Sequence, residues 1–408
     1  MSLGAGAQLP PLAVYIHLPW CLQRCGYCDF NAHALRGELP ARAYVDALGR
    51  ELRRQAPAAL GRRVTSVFIG GGTPSLFPPG PIGELLDTLD AVLGLESGAE
   101  ITLEANPGAS ENARLRGFRQ AGVTRLSLGV QSLDDTLLAR LGRIHDAVAA
   151  REAVAEAYAV GFRGINADVM YGLPGQGVTG AEADVAGVIA LGADHVSHYQ
   201  LTIEPETPFG RRPPPGLPDE ETVLEMEAVC RQRLAQAGLE RYEVSAFARP
   251  GQRSVHNLGY WTFGDYLGLG AGAAGKRTGA DGRVLRTRQR RSPRAWMAAV
   301  GSARVEAECI ELTPSEQAFE VLLNGLRLRE GLPERLAVAR SGCSLPALRD
   351  WLAPLCAGGW LEWRGGRIRA SAAGYEMLDT LLLELLPGPP DPGSGGSAPS
   401  SHGGNALK

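Results

Sequence analysis

Residues 14–31 read VYIHLPWCLQRCGYCDFN, and their cysteines, Cys21, Cys25 and Cys28, stand in the spacing C-x3-C-x2-C. The apolar run ahead of them, residues 14–18, predicts a strand, which places the thiols in a loop at its end. Thiolates are soft ligands and suit iron–sulfur clusters. A closed four-iron cluster takes four protein ligands, and the next cysteine along the chain is Cys230. Three ligands leave one iron open, and an open iron can bind a substrate. A structural zinc site needs a fourth Cys or His. His17 and His33 stand near enough in sequence to serve, so zinc stays an alternative. A disulfide framework is disfavoured by so few cysteines in a chain with no secretion signal.

The chain has 408 residues, 44% hydrophobic and 21% charged, which fits a soluble globular protein long enough for two domains. A net charge of −3 gives no bulk attraction to nucleic acid. Residues 1–11 lack the basic start and apolar core of a signal peptide. No apolar run reaches about 18 residues, so no membrane span is expected. Seven cysteines, three of them clustered, suit a reducing cytoplasm.

From residue 12 onward the pattern alternates between short apolar runs and helical periodicity. Strands are expected at 12–18, 64–69, 100–104, 125–130, 164–170 and 195–201. Helices are expected at 41–54, 82–93, 111–121, 147–160 and 181–191. Six strands with helices between them predict an α/β fold with a parallel sheet. Ligands collect at the carboxyl ends of such strands. Those ends carry the cysteines, then Gly70-Gly71-Gly72-Thr73-Pro74, Glu104, Gln131, Arg143 with His145, and Asp168. A glycine run lets a backbone approach a ligand closely, though polar residues here can equally solvate a barrel rim.

The prolines of 213–215 mark a loop, with a soft domain boundary near 210. A helix follows at 219–237 and a strand at 242–248, and 264–275 reads as a close-packed loop. From 313 two helical stretches precede a hairpin turning at Gly365-Gly366, and a last helix covers 372–386. The expected domains are a flexible N-terminus (1–11), a barrel (12–210), a connecting region (211–312), a C-terminal α+β domain resembling a winged helix (313–386) and a low-complexity tail (387–408).

The cysteine spacing resembles the motif of the radical S-adenosylmethionine (SAM) superfamily. The wider stretch resembles its branch of oxygen-independent coproporphyrinogen III oxidases and their relatives, the HemW family of heme chaperones. The oxidases continue C-x3-C-x2-C-x-C. Here Phe30 holds the fourth position, which points to the chaperones, as does the short N-terminus before the first strand. The resemblance implies a partial (β/α)6 barrel and a [4Fe-4S] cluster on Cys21, Cys25 and Cys28, its open iron chelated by SAM. It implies a SAM site of Tyr15, Gly71, Gly72, Thr73, Glu104, Gln131, Arg143 and Asp168. Tyr27 either stacks near the adenine or packs on the cluster loop. His256-Asn257-Leu258-Gly259-Tyr260-Trp261 resembles the HNxxYW motif of the chaperones, whose histidine is implicated in holding heme. By chemistry alone, those residues read more readily as a hydrogen-bonded core histidine with two core aromatics.

The implied function is a heme chaperone that binds heme and hands it to a hemoprotein, such as one of a respiratory chain. The alternative is an oxidase that cleaves SAM and decarboxylates coproporphyrinogen III, so enzymatic activity stays open. The partners implied are heme, an acceptor hemoprotein and, if SAM is cleaved, an electron donor. Nucleic acid is not expected, and peripheral membrane contact is left open.

Overall fold

The computed structural model describes residues 9–386. They form two compact units, residues 9–260 with 264–310, and residues 261–263 with 311–386. The tail expected at 387–408 and the first eight residues lie outside the described residues.

The first unit is built on one twelve-stranded sheet. Its strands are β1 (Leu12–Leu18), β2 (Val64–Gly71), β3 (Leu95–Ala105), β4 (Arg125–Gln131), β5 (Gly164–Tyr171) and β6 (His195–Gln200). They continue with β7 (Glu240–Arg241), β8 (Ala246–Ala248), β9 (Asp265–Leu269), β10 (Ala274–Thr278), β11 (Val284–Gln289) and β12 (Glu306–Glu311). The order across the sheet is β12-β11-β10-β9-β1-β2-β3-β4-β5-β6-β8-β7. From β9 through β1 to β6 every neighbouring pair is parallel. β8 and β10 pair antiparallel on their respective sides.

The parallel strands are two-faced, as side chains alternate along a strand. Leu103, Leu126, Ile165 and Val196 lie on one face, in the apolar core with residues of the surrounding helices such as Leu48, Leu85, Phe118 and Val154. The other face carries polar residues in register. Glu104 lies beside Ser127, Ser127 beside Asn166 and Asn166 beside His195. A continuous polar face inside a parallel sheet is costly unless its groups are satisfied. It marks where the fold has been given over to a site.

Two expectations need correction. The stretch 264–275 is not simply a loop, because β9 and the start of β10 lie in it. Gly268 sits inside β9 because a Cβ there would overlap the carbonyl of Ala274, so its lack of a side chain lets β10 pack close. Of the strand expected at 242–248 only Ala246–Ala248, β8, forms, and residues 242–245 turn the chain back from β7. Strands β7 to β12, from residues 240–311, join the same sheet as β1–β6.

In the second unit, Thr313 and Glu316 form a capping box that starts the helix Pro314–Gly325. Helices Glu334–Ser341 and Leu345–Ala357 follow. The hairpin Leu361–Arg364 and Arg367–Ala370 turns through Gly365 and Gly366, both at positive φ. Leu332–Pro333 pairs with its second strand as a third. The last helix is split into Ala372–Glu376 and Leu378–Glu384, with Met377 between them.

Candidate functional site at the carboxyl ends of the barrel strands

β1 delivers the chain to the cysteine loop. Cys21 is buried, Cys25 and Cys28 are half-buried, and all three thiols are free. Burial pushes the Cys21 thiol up to about 11, so the thiol on its own is protonated at neutral pH, and metal binding must release that proton. The Cys28 amide donates to the Cys25 carbonyl at 3.3 Å. Arg143 Nη1 lies 3.6 Å from Cys25 Sγ. Among the described residues no three His, Cys, Asp or Glu side chains lie close enough to share a single metal ion. Cluster thiolates have a different requirement, since each binds its own iron. His17 offers zinc no lone pair, because Nδ1 accepts from the Tyr15 hydroxyl at 2.9 Å and Nε2 faces the Asn31 carbonyl at 3.1 Å.

The glycine run closes over the same end. Gly71 has φ +119°, and a Cβ on Gly72 would fall 2.6 Å from the Trp20 carbonyl oxygen. The Gly72 and Thr73 amides donate to Leu18 and Trp20, which ties the run to the cysteine loop. Its backbone is thus a cradle that only glycine permits.

Behind it stand two carboxyls. Burial, and then the nearby Asp168, push Glu104 up to about 8. It accepts from the Gly71 amide at 3.0 Å. Burial raises Asp168 to about 6 against the opposing pull of its hydrogen bonds, among them Asn166 Nδ2 at 2.7 Å. Gln131 holds a left-handed φ of 66°, rare for a non-glycine residue, and its amide oxygen accepts from the Tyr199 hydroxyl at 2.9 Å. A strained residue inside a polar cluster is a mark of function. Arg143 donates to Asn106 at 2.6 Å and to the Gly129 carbonyl at 2.8 Å. A cavity joins Cys25, Thr73, Asn106, Arg143 and His145.

The structure therefore brings together the three cysteines, Tyr15, Gly71, Gly72, Thr73, Glu104, Gln131, Arg143 and Asp168 at one end of the sheet. Tyr27 is packed 6.4 Å from the Phe209 ring and beside Leu137, Leu141 and Met170. Asn106 and Tyr199 were missed by sequence reasoning. Asn106 follows Glu104 at a strand end, and that position was the available signal. Tyr199 has the parity of its strand, pointing inward with Ser197 and His195.

His256 lies one ring away from that group of residues, with Phe68 5.2 Å from it and 6.2 Å from Tyr15. It is 1% exposed, in the helix Val255–Trp261. Nδ1 meets Ser66 Oγ at 3.0 Å and Nε2 meets the Tyr260 hydroxyl at 2.9 Å. Glu100 of β3 accepts from the His256 amide and from the Ser254 hydroxyl, capping the helix. Burial drives the imidazole down to about 3. Both ring nitrogens are engaged, so as arranged His256 does not fit an axial ligand to heme iron. Tyr260 packs edge-on against His256 and Tyr266, and Arg327 covers the Trp261 ring at 4.3 Å. Neither ring is laid out as a bare porphyrin face.

The chain is similar to known proteins. Residues 15–183 match the Radical SAM superfamily, and residues 312–376 match the HemN C-terminal domain. The chain is 45% identical to the heme chaperone HemW of Escherichia coli (strain K12), over 93% of this chain and 99% of that one. It is 41% identical to the heme chaperone HemW of Haemophilus influenzae, over 84% and 89%. A mitochondrial radical S-adenosyl methionine domain-containing protein 1 of Bos taurus is 39% identical over 92% and 87%. Among solved structures, the E. coli coproporphyrinogen III oxidase HemN, a radical SAM enzyme, superposes with a TM-score of 0.78 at 24% identity, over 92% of this chain and 90% of that one. At that identity the likeness is one of fold.

Proposed function

This chain belongs to the radical SAM superfamily and, within it, to the HemW family of heme chaperones, and from that premise we propose how its residues serve that function. It is a heme chaperone, with a [4Fe-4S] cluster and SAM as cofactors and heme as cargo. The observation that carries this is the 45% identity spanning 99% of a HemW chaperone. Phe30 in place of a fourth clustered cysteine supports the same reading. The oxidase alternative is not favoured, since the solved oxidase is only 24% identical.

Cys21, Cys25 and Cys28 hold the cluster in this reading. When bound, the cluster supplies an iron with an open position that SAM can chelate, together with redox capacity. The cradle at Gly71 and Gly72 takes the methionyl end close to backbone, with Thr73 fixed by Asn106. Arg143 neutralises the SAM carboxylate. Glu104 and Asp168 accept from ribose hydroxyls, and Gln131, held by Tyr199, limits how the ligand sits between them. Tyr15 closes the floor, and Tyr27 packs the outer wall.

Heme ligation by His256 would require either Ser66 or Tyr260 to release a ring nitrogen. The heme acceptor is a hemoprotein, such as one of a respiratory chain. An electron donor is needed only if SAM is cleaved. Among the described residues no helix is long and apolar enough to cross a membrane. The free thiols of the cysteine loop support a reducing cytoplasm.

The test is a heme titration of the anaerobically reconstituted protein, followed at the Soret band, with a parallel incubation with coproporphyrinogen III, SAM and a reductant. Stoichiometric heme uptake without decarboxylated product is expected. Decarboxylated product without tight heme binding would overturn the reading.

A further inference from the structure

His195 and Tyr242 are buried polar residues to which the reading above gives no role. They belong to one chain of hydrogen bonds. Asp168 of β5 accepts from Asn166 Nδ2 at 2.7 Å. The Asn166 amide oxygen lies 2.6 Å from His195 Nδ1 on β6. His195 Nε2 lies 2.8 Å from the hydroxyl of Tyr242, the residue after β7. That hydroxyl accepts from the Ser254 amide at 3.4 Å, one residue ahead of the helix Val255–Trp261. Ser254 Oγ donates to Glu100 Oε1 at 3.2 Å, and the same carboxyl takes the Val255 and His256 amides. The chain thus runs from the proposed ribose carboxylate to the cap of the helix that carries His256.

Its direction follows from which atoms can donate. An amide oxygen only accepts, so His195 Nδ1 carries a hydrogen. Burial holds the imidazole well below the ordinary 6.5, so the ring is neutral and Nε2 accepts from the Tyr242 hydroxyl. From Ser254 onward every hydrogen therefore points toward Asp168. Hydrogen bonds to an ionised acceptor are the strong ones, and bonds in a chain polarise one another. Ribose hydroxyls donated to Asp168 favour its ionised form and so tighten the chain as far as Ser254. Coupling between two sites needs an element with two arrangements. The helix supplies it, since heme cannot reach the His256 imidazole until Ser66 or Tyr260 releases a ring nitrogen.

Resting on the SAM and heme readings above, we propose that His195 and Tyr242 are positioning residues that couple the two sites. SAM at Asp168 holds the helix closed, with both His256 nitrogens engaged, and heme at His256 requires it open. Each ligand therefore weakens the binding of the other by the same factor. SAM then acts as the signal for the chain to release its cargo.

The experiment is amide hydrogen exchange, read by mass spectrometry, on the anaerobically reconstituted protein with and without saturating SAM, beside heme titrations of the same two samples. SAM should slow exchange at Val255 and His256 and raise the heme Kd, each on the order of tenfold. Tyr242→Phe keeps the ring in place and removes the hydroxyl that joins His195 to Ser254. This variant should bind SAM, and its helix exchange and heme Kd should be the same with and without it. A hydroxyl with a purely structural role would lower the Tm and leave the response to SAM intact, so a response that persists in Tyr242→Phe would overturn the proposal. So would wild-type helix amides, or a wild-type heme Kd, that do not respond to bound SAM. The wild-type comparison decides by itself should the variant fail to fold. A chain that binds no SAM would instead overturn the SAM reading, and one that binds no heme the chaperone reading, and this proposal falls with either.

Discussion

Glu104 is poised to report on its ligand, because burial and the neighbouring Asp168 hold its carboxyl at about 8 instead of the ordinary 4.5. Hydroxyl donors favour the ionised form, so SAM binding at neutral pH should expel the Glu104 proton. Affinity should therefore rise as the pH climbs from about 6 toward 8, and calorimetry in buffers of different ionisation enthalpy should detect the released proton. Glu104→Gln should abolish that slope. An affinity that falls over the same interval would contradict the assignment. The cysteine loop makes a blunter prediction. Cys21→Ala leaves two clustered thiols and should lose the cluster's iron and visible absorbance after reconstitution; full retention would refute the cluster site. Cysteine spacing was legible without any structure, because three thiols in one short loop restrict the chemistry so strongly. The state of Glu104 was not, since it depends on Asp168 from a different strand.

The helix Val255–Trp261 shows where a motif and its surroundings part company. The hexapeptide was readable, but nothing local in it says that Glu100 caps the helix or that Ser66 and Tyr260 take both imidazole nitrogens. Those partners come from β2 and β3 as well as from the helix. His256→Ala removes a packed ring and orphans the Ser66 hydroxyl, at a cost of about 2–4 kcal/mol. A lowered Tm in the cluster-free chain would register that loss. If heme affinity, measured where both variants are fully folded, is unchanged, the histidine is structural. If it collapses, the helix must open to present Nε2, and Tyr260→Phe should then speed heme uptake. Strands β1–β6 were legible because each buries one apolar face against helices and so alternates or runs apolar. β9–β11 were not, because β9 and β10 are five residues each with a glycine inside, while arginines fill the alternate positions of β11.

Across the whole molecule, two sets of buried groups pull stability in opposite directions. Burial raises Glu51 to about 7, Glu104 to about 8, and Asp168 and Asp184 to about 6. These carboxyls keep their protons in the folded state longer than in the unfolded one, so their contribution is complete at low pH and is lost as the pH rises through those values. Burial lowers His17 and His145 to about 4, and His198 and His256 to about 3. The unfolded chain takes up their protons first, so stability falls as the pH drops below the ordinary 6.5. The two sets offset each other between about pH 4.5 and 6.5. The cluster-free chain should have its highest Tm within that window and lose stability on either side. A Tm that climbs steadily to pH 8 would show that other groups govern the balance.

A chaperone of this family must carry heme in order to give it away. That is tested by loading the reconstituted protein with one equivalent of heme, mixing it with an apo-hemoprotein and following the two Soret bands in time. The donor band should decay, with matching growth of the acceptor band. Heme that never binds, or that stays on this chain with excess acceptor present, would contradict the chaperone function.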